Sequence, residues 1–133
     1  MNFPTSSKSI LIIKGLIKQH KCKLSCAGDS MIPLFRPGEI VNIEPLGHQM
    51  KIGDVVLYYT KEGFDYLLIL HRIHYITKKY VVTKGDNNFA FDVPIEKNSI
   101  LGMAVDCYNA QVDIVRAENF FNDYIRGKMN EKK

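Results

Sequence analysis

The spacing of apolar residues changes from a helical to a strand period near residue 22. Before that point, three isoleucines recur on one face of a helix with about 3.6 residues per turn: Ile10, Ile13 and Ile17. Ser6 or Ser7 can cap the first turn. The apolar stripe is wide, so we expect a helix over about 6–20 that packs on the body of the domain. Contact of this helix with a membrane surface or a partner is the alternative.

From residue 22 onward, apolar and polar residues alternate with a period of two, which is typical of strands. The alternating segments are "CKLSC", "EIVNIEP", "GDVVLYYT", "YLLILHRIHYIT" and "KKYVVTKG", followed by "SILGMAVDCY" and "AQVDIV" as a last pair of strands. Short turn-rich stretches such as "PLFRPG" and "KEGFD" separate them. The sequence therefore predicts a β core over about 23–115, folded as a barrel-like antiparallel sheet.

The C-terminal segment returns to a helical pattern. A short helix over about 117–126 would place four apolar residues on one side: Phe120, Phe121, Tyr124 and Ile125. Neither an internal repeat nor a linker-like stretch interrupts the pattern. We therefore expect one mainly β domain over 1–133, with an N-terminal helix and a short C-terminal helix.

Composition narrows the class of protein without assigning a function. The chain has 133 residues, of which 46% are hydrophobic and 24% charged, and its net charge is +4. These values are ordinary for a globular domain with a real core. The lysines cluster in a turn, "KKY", and at the C-terminal end, "NEKK", which is typical of solvated segments rather than of a nucleic-acid-binding face. We expect no nucleic-acid partner.

The cysteines and the N-terminal apolar run bear on the compartment. Three cysteines, Cys22, Cys26 and Cys107, form neither a disulfide framework nor a zinc-like set, so we expect free thiols, no metal and no cofactor. The run "ILIIKGLI" over 10–17 is far shorter than the ~20 residues that cross a bilayer. It also lacks the cleavage site of a signal peptide. A soluble cytoplasmic protein is expected.

One serine, Ser30, lies in a turn-forming stretch, "AGDSMIPLFRPGE". Glycine at position 28 permits a tight turn that would present the serine hydroxyl outward. Most serines in such turns are capping or turn residues. A catalytic serine needs a neighbouring group to take its proton.

Four histidines are candidates for that base: His20, His48, His71 and His74. His20 ends the first predicted helix, and His48 lies in a loop. His71 and His74 are three apart on one predicted strand, so they should point to opposite faces and only one of them can face a given site. A base also needs an acceptor for its other ring nitrogen, and two aspartates after the next strand could supply it: Asp86 and Asp92.

Five short motifs follow one another along the chain: "GDSMIPLFRPGE", "GDVVLY", "LHRI", "TKGDNN" and "ILGM". The fourth motif contains Asp86, and Asp92 follows six positions later. As a set, over about residues 24–105, they resemble the signal peptidase superfamily of serine peptidases. The resemblance is to the histidine-type branch, which includes the endoplasmic-reticulum and spore-former enzymes.

The resemblance implies a role for each matched residue. Ser30 matches the nucleophile, and His71 matches the general base, where the usual bacterial branch has lysine. Asp92 matches the acid that orients the histidine, and Asp86 a second acid of the site. The sequence leaves open which of the two aspartates contacts His71.

The oxyanion donors also follow from the resemblance. The backbone N–H of Ser30 would stabilise the oxyanion. At position 28, lysine-type enzymes carry a serine whose side chain is a second donor. This sequence has Gly28 there, and the histidine-type branch also lacks that donor. Asp29 lies outside the catalytic set and places a carboxylate next to the nucleophile.

The implied reaction is hydrolysis of a peptide bond through an acyl-enzyme. Members of the superfamily bind their substrate as an added β-strand, and we expect the edges for it to be the "GDVVLYY" strand and the segment near Ser30. Members of this type carry a membrane anchor, which this sequence lacks. We therefore expect a soluble catalytic core that removes a leader or processes a precursor peptide.

Two other functions stay open at this stage. A peptide-binding module could keep the fold with an inactive site. A self-cleaving repressor-type protease is the second. Such proteases cut their own chain at an Ala-Gly or Cys-Gly bond, but the Ala27–Gly28 bond of this sequence lies too near Ser30 to enter the site. The sequence does not indicate the oligomeric state or the identity of the substrate.

Overall fold

The fold is built around one antiparallel sheet to which most of the chain contributes. In the computed structural model, residues 2–47, 49–63, 65–105 and 107–131 are described. The strands and helices, in chain order, are β1 Asn2–Thr5, α1 Ser7–Lys18, β2 Cys22–Ser25, β3 Ile40–Glu44, β4 Val55–Glu62, β5 Asp65–Ile76, β6 Tyr80–Lys84, β7 Ile95–Glu96, β8 Ile100–Ala104 and α2 Ile114–Glu131. A single 3₁₀ turn, Lys97–Ser99, precedes β8.

The strands pair in the order β2-β3-β8-β4-β5-β6-β7, and β1 pairs with β5 beside this path. Every pairing is antiparallel. The prediction of a mainly β antiparallel domain with a helix at each end is confirmed. The prediction of a barrel-like sheet is wrong: the sheet is open, because its end strands β2 and β7 do not pair with each other in the described part of the chain.

β5 is the longest strand and has neighbours on both sides. β4 pairs with it over Asp65–Arg72. The other side is shared, because β1 pairs with Tyr66–Ile69 and β6 with Arg72–Ile76. Along the second side, β5 thus passes from one partner strand to another at Leu70 and His71.

Alternation along β4 and β5 divides the core into two clusters, as expected for a sheet buried on both faces. Leu57, Leu68 and Leu70 belong to one cluster, together with Met31. The other cluster contains a set of side chains from the opposite face: Val56, Tyr58, Ile69, Ile73, Val81, Ile95 and Ile100.

The first helix forms where the sequence predicts it. Ser6 caps it by accepting a hydrogen bond from the backbone N–H of Ser9 at 3.1 Å. Ile10 and Ile17 are buried against the sheet. No helix in the described ranges is long and apolar enough to cross a membrane.

The prediction of a short C-terminal helix over 117–126 is wrong, because α2 extends over 18 residues, Ile114–Glu131. "AQVDIV" is not a strand: its first four residues are irregular and its last two begin α2. The helix begins earlier because Asp113 caps it, accepting from the backbone N–H of Arg116 at 3.3 Å, and it continues past Gly127. Aromatic packing holds its middle against the sheet. Phe120 lies against Phe91, and Phe121 against Tyr75 and Tyr80, with ring centroids 5.6–5.9 Å apart.

Two further expectations about strands need correction. β4, the "GDVVLYY" strand, is not an edge, since it pairs with β5 on one side and with β8 on the other. The strands β1 and β7 are not predicted by the sequence pattern, because segments of four and two residues are too short to show alternation.

We predict that Gly102→Ala destabilises the fold. A Cβ at Gly102 would lie 2.7 Å from the backbone oxygen of Glu44 and 2.9 Å from Ile43 Cγ2, so the sheet must shift to accept it. The expected loss is about 1–3 kcal/mol in the free energy of unfolding, measured by urea denaturation. Gly127→Ala is the matched control: no atom lies within 4 Å of its Cβ position, and it should stabilise α2 by up to about 1 kcal/mol. Equal midpoints for both variants would contradict the close approach at Gly102.

Candidate active site

Ser30 lies in the turn-rich segment that follows β2. Gly28 adopts a φ of 75°, a left-handed conformation that glycine reaches without strain. The backbone oxygen of Ser30 accepts a hydrogen bond from the N–H of Asn87 at 2.8 Å, and the next residue, Met31, is fully buried. The serine is therefore fixed on both sides, by the core and by the segment after β6.

His71 brings Ser30 and Asp92 together from the middle of β5. Its side chain is only 1% exposed. Nε2 lies 3.1 Å from Ser30 Oγ, and Nδ1 lies 2.5 Å from Asp92 Oδ2. The three side chains thus form a continuous hydrogen-bonded chain from hydroxyl to imidazole to carboxylate.

Asp92 is held by more than the histidine. Its backbone N–H donates to the oxygen of Thr83 at 2.9 Å, and its Oδ2 accepts from Thr83 Oγ1 at 2.8 Å and from Tyr58 Oη at 3.0 Å. Burial alone would raise the pKa of the Asp92 carboxyl. The hydrogen bond and charge of His71, with the two hydroxyl donors, outweigh burial and hold that pKa below its ordinary value.

Tyr58 and Thr83 were missed by reasoning from sequence. Both are polar side chains on strands that are otherwise rich in apolar residues, and that is the signal that could have found them. Burial, followed by the charge of Asp92, raises the pKa of Tyr58 well above its ordinary value. Tyr58 therefore keeps its proton and remains a donor to the carboxylate.

Asp86 pairs with Arg72. The guanidinium donates from Nε to Oδ1 at 2.9 Å and from Nη2 to Oδ2 at 2.8 Å. Both side chains are buried, at 1% and 7% exposure. Of the two aspartates between which the sequence left the choice open, Asp92 is the one whose carboxylate lies beside His71 Nδ1. The motif "LHRI" contains Arg72 but does not indicate this ion pair.

Gly85 makes the close approach between the two halves of the site possible. A Cβ there would lie 2.6 Å from the backbone oxygen of Ser30, 2.8 Å from Asn88 Nδ2 and 3.0 Å from His71 Nε2. A side chain at this position would separate the serine from the histidine. The glycine of "KGDNN" is therefore required by space rather than by a turn.

The other candidate bases are engaged elsewhere or are not described. His74 is 2% exposed, its Nδ1 accepts from the N–H of Asp113 at 2.9 Å, and its ring packs edge-on against Phe91. His20 Nδ1 lies 2.5 Å from Glu44 Oε2 near the surface. His48 falls outside the described residues. Among the side chains that the structure describes, no group of three or more His, Cys, Asp or Glu is arranged to hold a metal ion.

Asp29, beside Ser30, is exposed. Its backbone oxygen accepts from the N–H of Ile32 at 3.2 Å and from Asn87 Nδ2 at 3.0 Å. These two bonds shape the turn through the main chain. Exposure to solvent screens the Asp29 carboxylate, which weakens its effect on a neighbouring anion.

Ser30, His71 and Asp92 are hydrogen-bonded to one another in the order of a Ser-His-Asp triad, on an open antiparallel sheet. No family model matches the sequence. The curated proteins it resembles are signal peptidase complex catalytic subunits SEC11 of fungi. Identity is 37% over 70 residues with that of Candida albicans (strain SC5314), covering 50% of this chain and 41% of the relative.

Two further relatives agree. Identity with SEC11 of Zygosaccharomyces rouxii is 30% over 97 residues, which is 67% of this chain and 57% of the relative. With SEC11 of Clavispora lusitaniae it is 35% over 83 residues, 58% of this chain and 49% of the relative. The chain is a distant homologue of these signal peptidase catalytic subunits, as its motifs indicated. It spans about half the length of the curated relatives it matches.

We predict that Asp86→Asn destabilises the fold strongly. The substitution leaves the Arg72 guanidinium buried without its carboxylate, a change that costs about 3–5 kcal/mol of unfolding free energy. Asp123→Asn is the matched control, because Asp123 pairs with Arg126 at the surface, where the two side chains are 75% and 73% exposed. This substitution should lower the unfolding free energy by less than about 1 kcal/mol. Chemical denaturation of both variants measures the difference. Similar values for the two would show that the Arg72–Asp86 pair contributes no more than a surface pair.

We predict a loss of stability in mild acid that depends on His74. Burial first, and then the charges of Lys84 and Arg72, lower the pKa of His74 to about 4 against the opposing charges of Asp86 and Asp113. The unfolded chain takes up this proton near pH 6.5, so stability is complete above about pH 6.5 and falls as the pH drops towards 4. The expected loss is roughly 2 kcal/mol between pH 7 and pH 5.

The control for the acid effect is His74→Asn, whose Oδ1 can accept the same hydrogen bond but does not titrate. Its unfolding free energy, measured by urea denaturation across the same range, should vary less with pH. Asp92 does not contribute in this window, because its carboxyl pKa is lowered and its contribution is lost only at more acidic pH. Parallel profiles for His74→Asn and the unchanged protein would contradict the assignment.

Proposed function

We propose that this protein is a serine endopeptidase that hydrolyses a peptide bond in a leader or precursor peptide. Ser30 is the nucleophile, His71 the general base, and Asp92 the acid that orients it. The observation that carries the proposal is the hydrogen-bonded chain from Ser30 Oγ through both ring nitrogens of His71 to Asp92 Oδ2. Homology to signal peptidase catalytic subunits supports the peptide as substrate class.

The two contacts of His71 support one direction of proton transfer. With Asp92 ionised, His71 donates its Nδ1–H to the carboxylate, so Nε2 carries a lone pair directed at the Ser30 hydroxyl. As Ser30 Oγ attacks the substrate carbonyl, Nε2 takes its proton. The imidazolium then returns this proton to the leaving amine, and the C–N bond breaks.

A water molecule completes the reaction. It attacks the acyl-enzyme as His71 takes one of its protons, and the ester bond to Ser30 breaks as the proton returns to Oγ. The backbone N–H of Ser30 is the proposed donor to the oxyanion in both halves of the reaction. Gly28 offers no side-chain donor, so this site relies on main-chain groups.

Asp86 acts through position rather than through chemistry. By holding Arg72, it fixes the segment that carries Gly85 against Ser30 and leads on to Asp92. It is a positioning residue in this proposal.

A cavity next to Asp92 offers a place for a side chain of the substrate. Its volume is about 380 Å³, and it is lined mostly by apolar and hydroxyl side chains: Tyr58, Thr60, Lys61, Ile69, Asp92, Val93, Pro94 and Ile95. Most of this lining is apolar, so burial of an apolar side chain of the substrate would be favourable there.

A peptide-binding module with an inactive site is the second candidate. The complete Ser-His-Asp geometry favours the enzyme, because binding alone requires neither the 3.1 Å contact between Ser30 and His71 nor the carboxylate behind the imidazole. The repressor-type alternative is weaker, since the Ala27–Gly28 bond lies within the turn that positions Ser30.

We predict that Ser30→Ala abolishes cleavage and leaves peptide binding intact. A peptide library incubated with the protein and analysed by mass spectrometry identifies the cut site. The variant should then cleave the selected peptide at least about 10³-fold more slowly with an unchanged Kd. Ser25→Ala, an exposed serine on β2, is the matched control and should keep full activity. Undiminished cleavage by Ser30→Ala would refute Ser30 as nucleophile; binding without cleavage in both proteins would favour the binding module.

A further inference from the structure

The N-terminal strand β1 lies along β5 immediately before the catalytic histidine. Its register pairs Asn2 with Ile69 and Thr5 with Tyr66, so Asn2 is the β1 residue nearest to His71 along β5. Ile69 and His71 are two residues apart, which is about 7 Å along a strand. The end of β1 therefore reaches the border of the active site.

β1 and Ser30 lie on the same side of β5. β6 pairs Lys84 with Arg72 on that side, and Gly85, the next residue, approaches both Ser30 and His71. On the other side, β4 pairs with β5 through Leu70, His71 and beyond. A strand that pairs with this side of β5 therefore points towards Ser30, and β1 occupies that position.

A peptide substrate needs this position. Neighbouring strands lie about 4.8 Å apart, so a peptide paired with β5 in place of β1 would pass beside His71 and Ser30. A peptide added outside β1 would lie about twice as far from β5, away from a serine that hydrogen-bonds His71. On β4, the side towards β5 is paired along the whole strand, and the other side is paired with β8 from Val56 to Tyr58.

We propose that β1 is an inhibitory strand that occupies the peptide-binding position along β5 and must leave before a substrate can pair there. This inference rests on the proposed peptidase function, and it concerns access to the same site. The occupant that competes for the position is an extended peptide that pairs through its main chain.

The composition of β1 makes it a weak competitor for a longer peptide. It has four residues and, among the described strands, pairs with β5 alone. Pro4 has no N–H to donate, which places the Pro4–Leu67 pair at a non-hydrogen-bonded position and leaves Phe3 and Thr5 as donors to β5. A substrate strand with more main-chain donors can therefore replace it.

A reversible cross-link tests the proposal. The double variant Pro4→Cys with Leu67→Cys places two thiols at a non-hydrogen-bonded pair, where Cα atoms of about 4.5 Å separation suit a disulfide. The native cysteines lie on other elements, and Cys22 and Cys26 are buried. The oxidised protein should lose cleavage of the selected peptide, and a thiol reductant should restore it. The reduced form of the same protein is the control for any effect of the two substitutions on folding.

Deletion of residues 2–5 provides the opposite change. If β1 competes with the substrate, the apparent KM should fall roughly threefold or more, because every molecule is then competent to bind. Labelling of Ser30 by a small fluorophosphonate, which needs no strand pairing, is measured in parallel on all forms.

The outcomes separate the two proposals. If the oxidised protein cleaves as fast as its reduced form while both are labelled at Ser30, β1 is not inhibitory and the peptidase proposal stands. An unchanged KM after deletion of residues 2–5 leads to the same conclusion. If no form cleaves a peptide or reacts with the fluorophosphonate, the peptidase proposal fails and the inhibitory strand falls with it.

Discussion

The buried ion pair between Arg72 and Asp86 determines how the rest of the site is arranged. Two charges that are 1% and 7% exposed have lost most of their hydration, and only a well-formed bidentate contact offsets that cost. Arg72 also donates to the backbone oxygens of Gly53 at 2.9 Å and of Tyr108 at 3.4 Å, so the guanidinium has acceptors on three segments. A shift of the segment after β6 would break this pair, which restricts where Gly85 and Asp92 can lie.

Arg72 directly follows His71 on β5, and this explains why the loop after β6 can supply an aspartate to each of them. Adjacent residues of a strand point to opposite faces, so His71 and Arg72 emerge on different sides of the sheet. Asp86 reaches the arginine, and Asp92, six residues later, reaches the histidine. The loop after β6 therefore passes around the sheet where β5 changes its partner from β1 to β6. The site forms at this change of partners, because a continuous neighbouring strand would leave no room for Ser30 beside His71.

Sequence reasoning singled out Ser30, His71 and Asp92, which the structure brings together, because each lies in a short motif and their order and gaps resemble a known superfamily. It also predicted α1 and the strands whose alternation extends over five residues or more. It missed the interactions that depend on distant parts of the chain. The pairing of Asp86 with Arg72 and the hydroxyls of Tyr58 and Thr83 follow from strand register, which no local pattern specifies.

Two errors in secondary structure have different causes. α2 begins earlier than expected because Asp113 caps its first turn, and it continues past Gly127 to Glu131. β4 was expected to be an edge, and its alternation alone does not show how many neighbours a strand has. β8 returns from the far end of the sheet to cover its other side.

Burial of His71 makes the environment of Asp92 decisive for chemistry. In the proposed reaction, His71 takes a proton from Ser30, and a positive charge appears on a side chain that is 1% exposed, where water can do little to stabilise it. The carboxylate 2.5 Å from Nδ1 provides the compensating charge, provided that it stays ionised. Tyr58 and Thr83 favour the ionised form by donating to Asp92, and the raised pKa of Tyr58 ensures that it donates rather than adding a second negative charge. The proposed role of His71 as a base thus depends on two hydroxyl groups that contact Asp92.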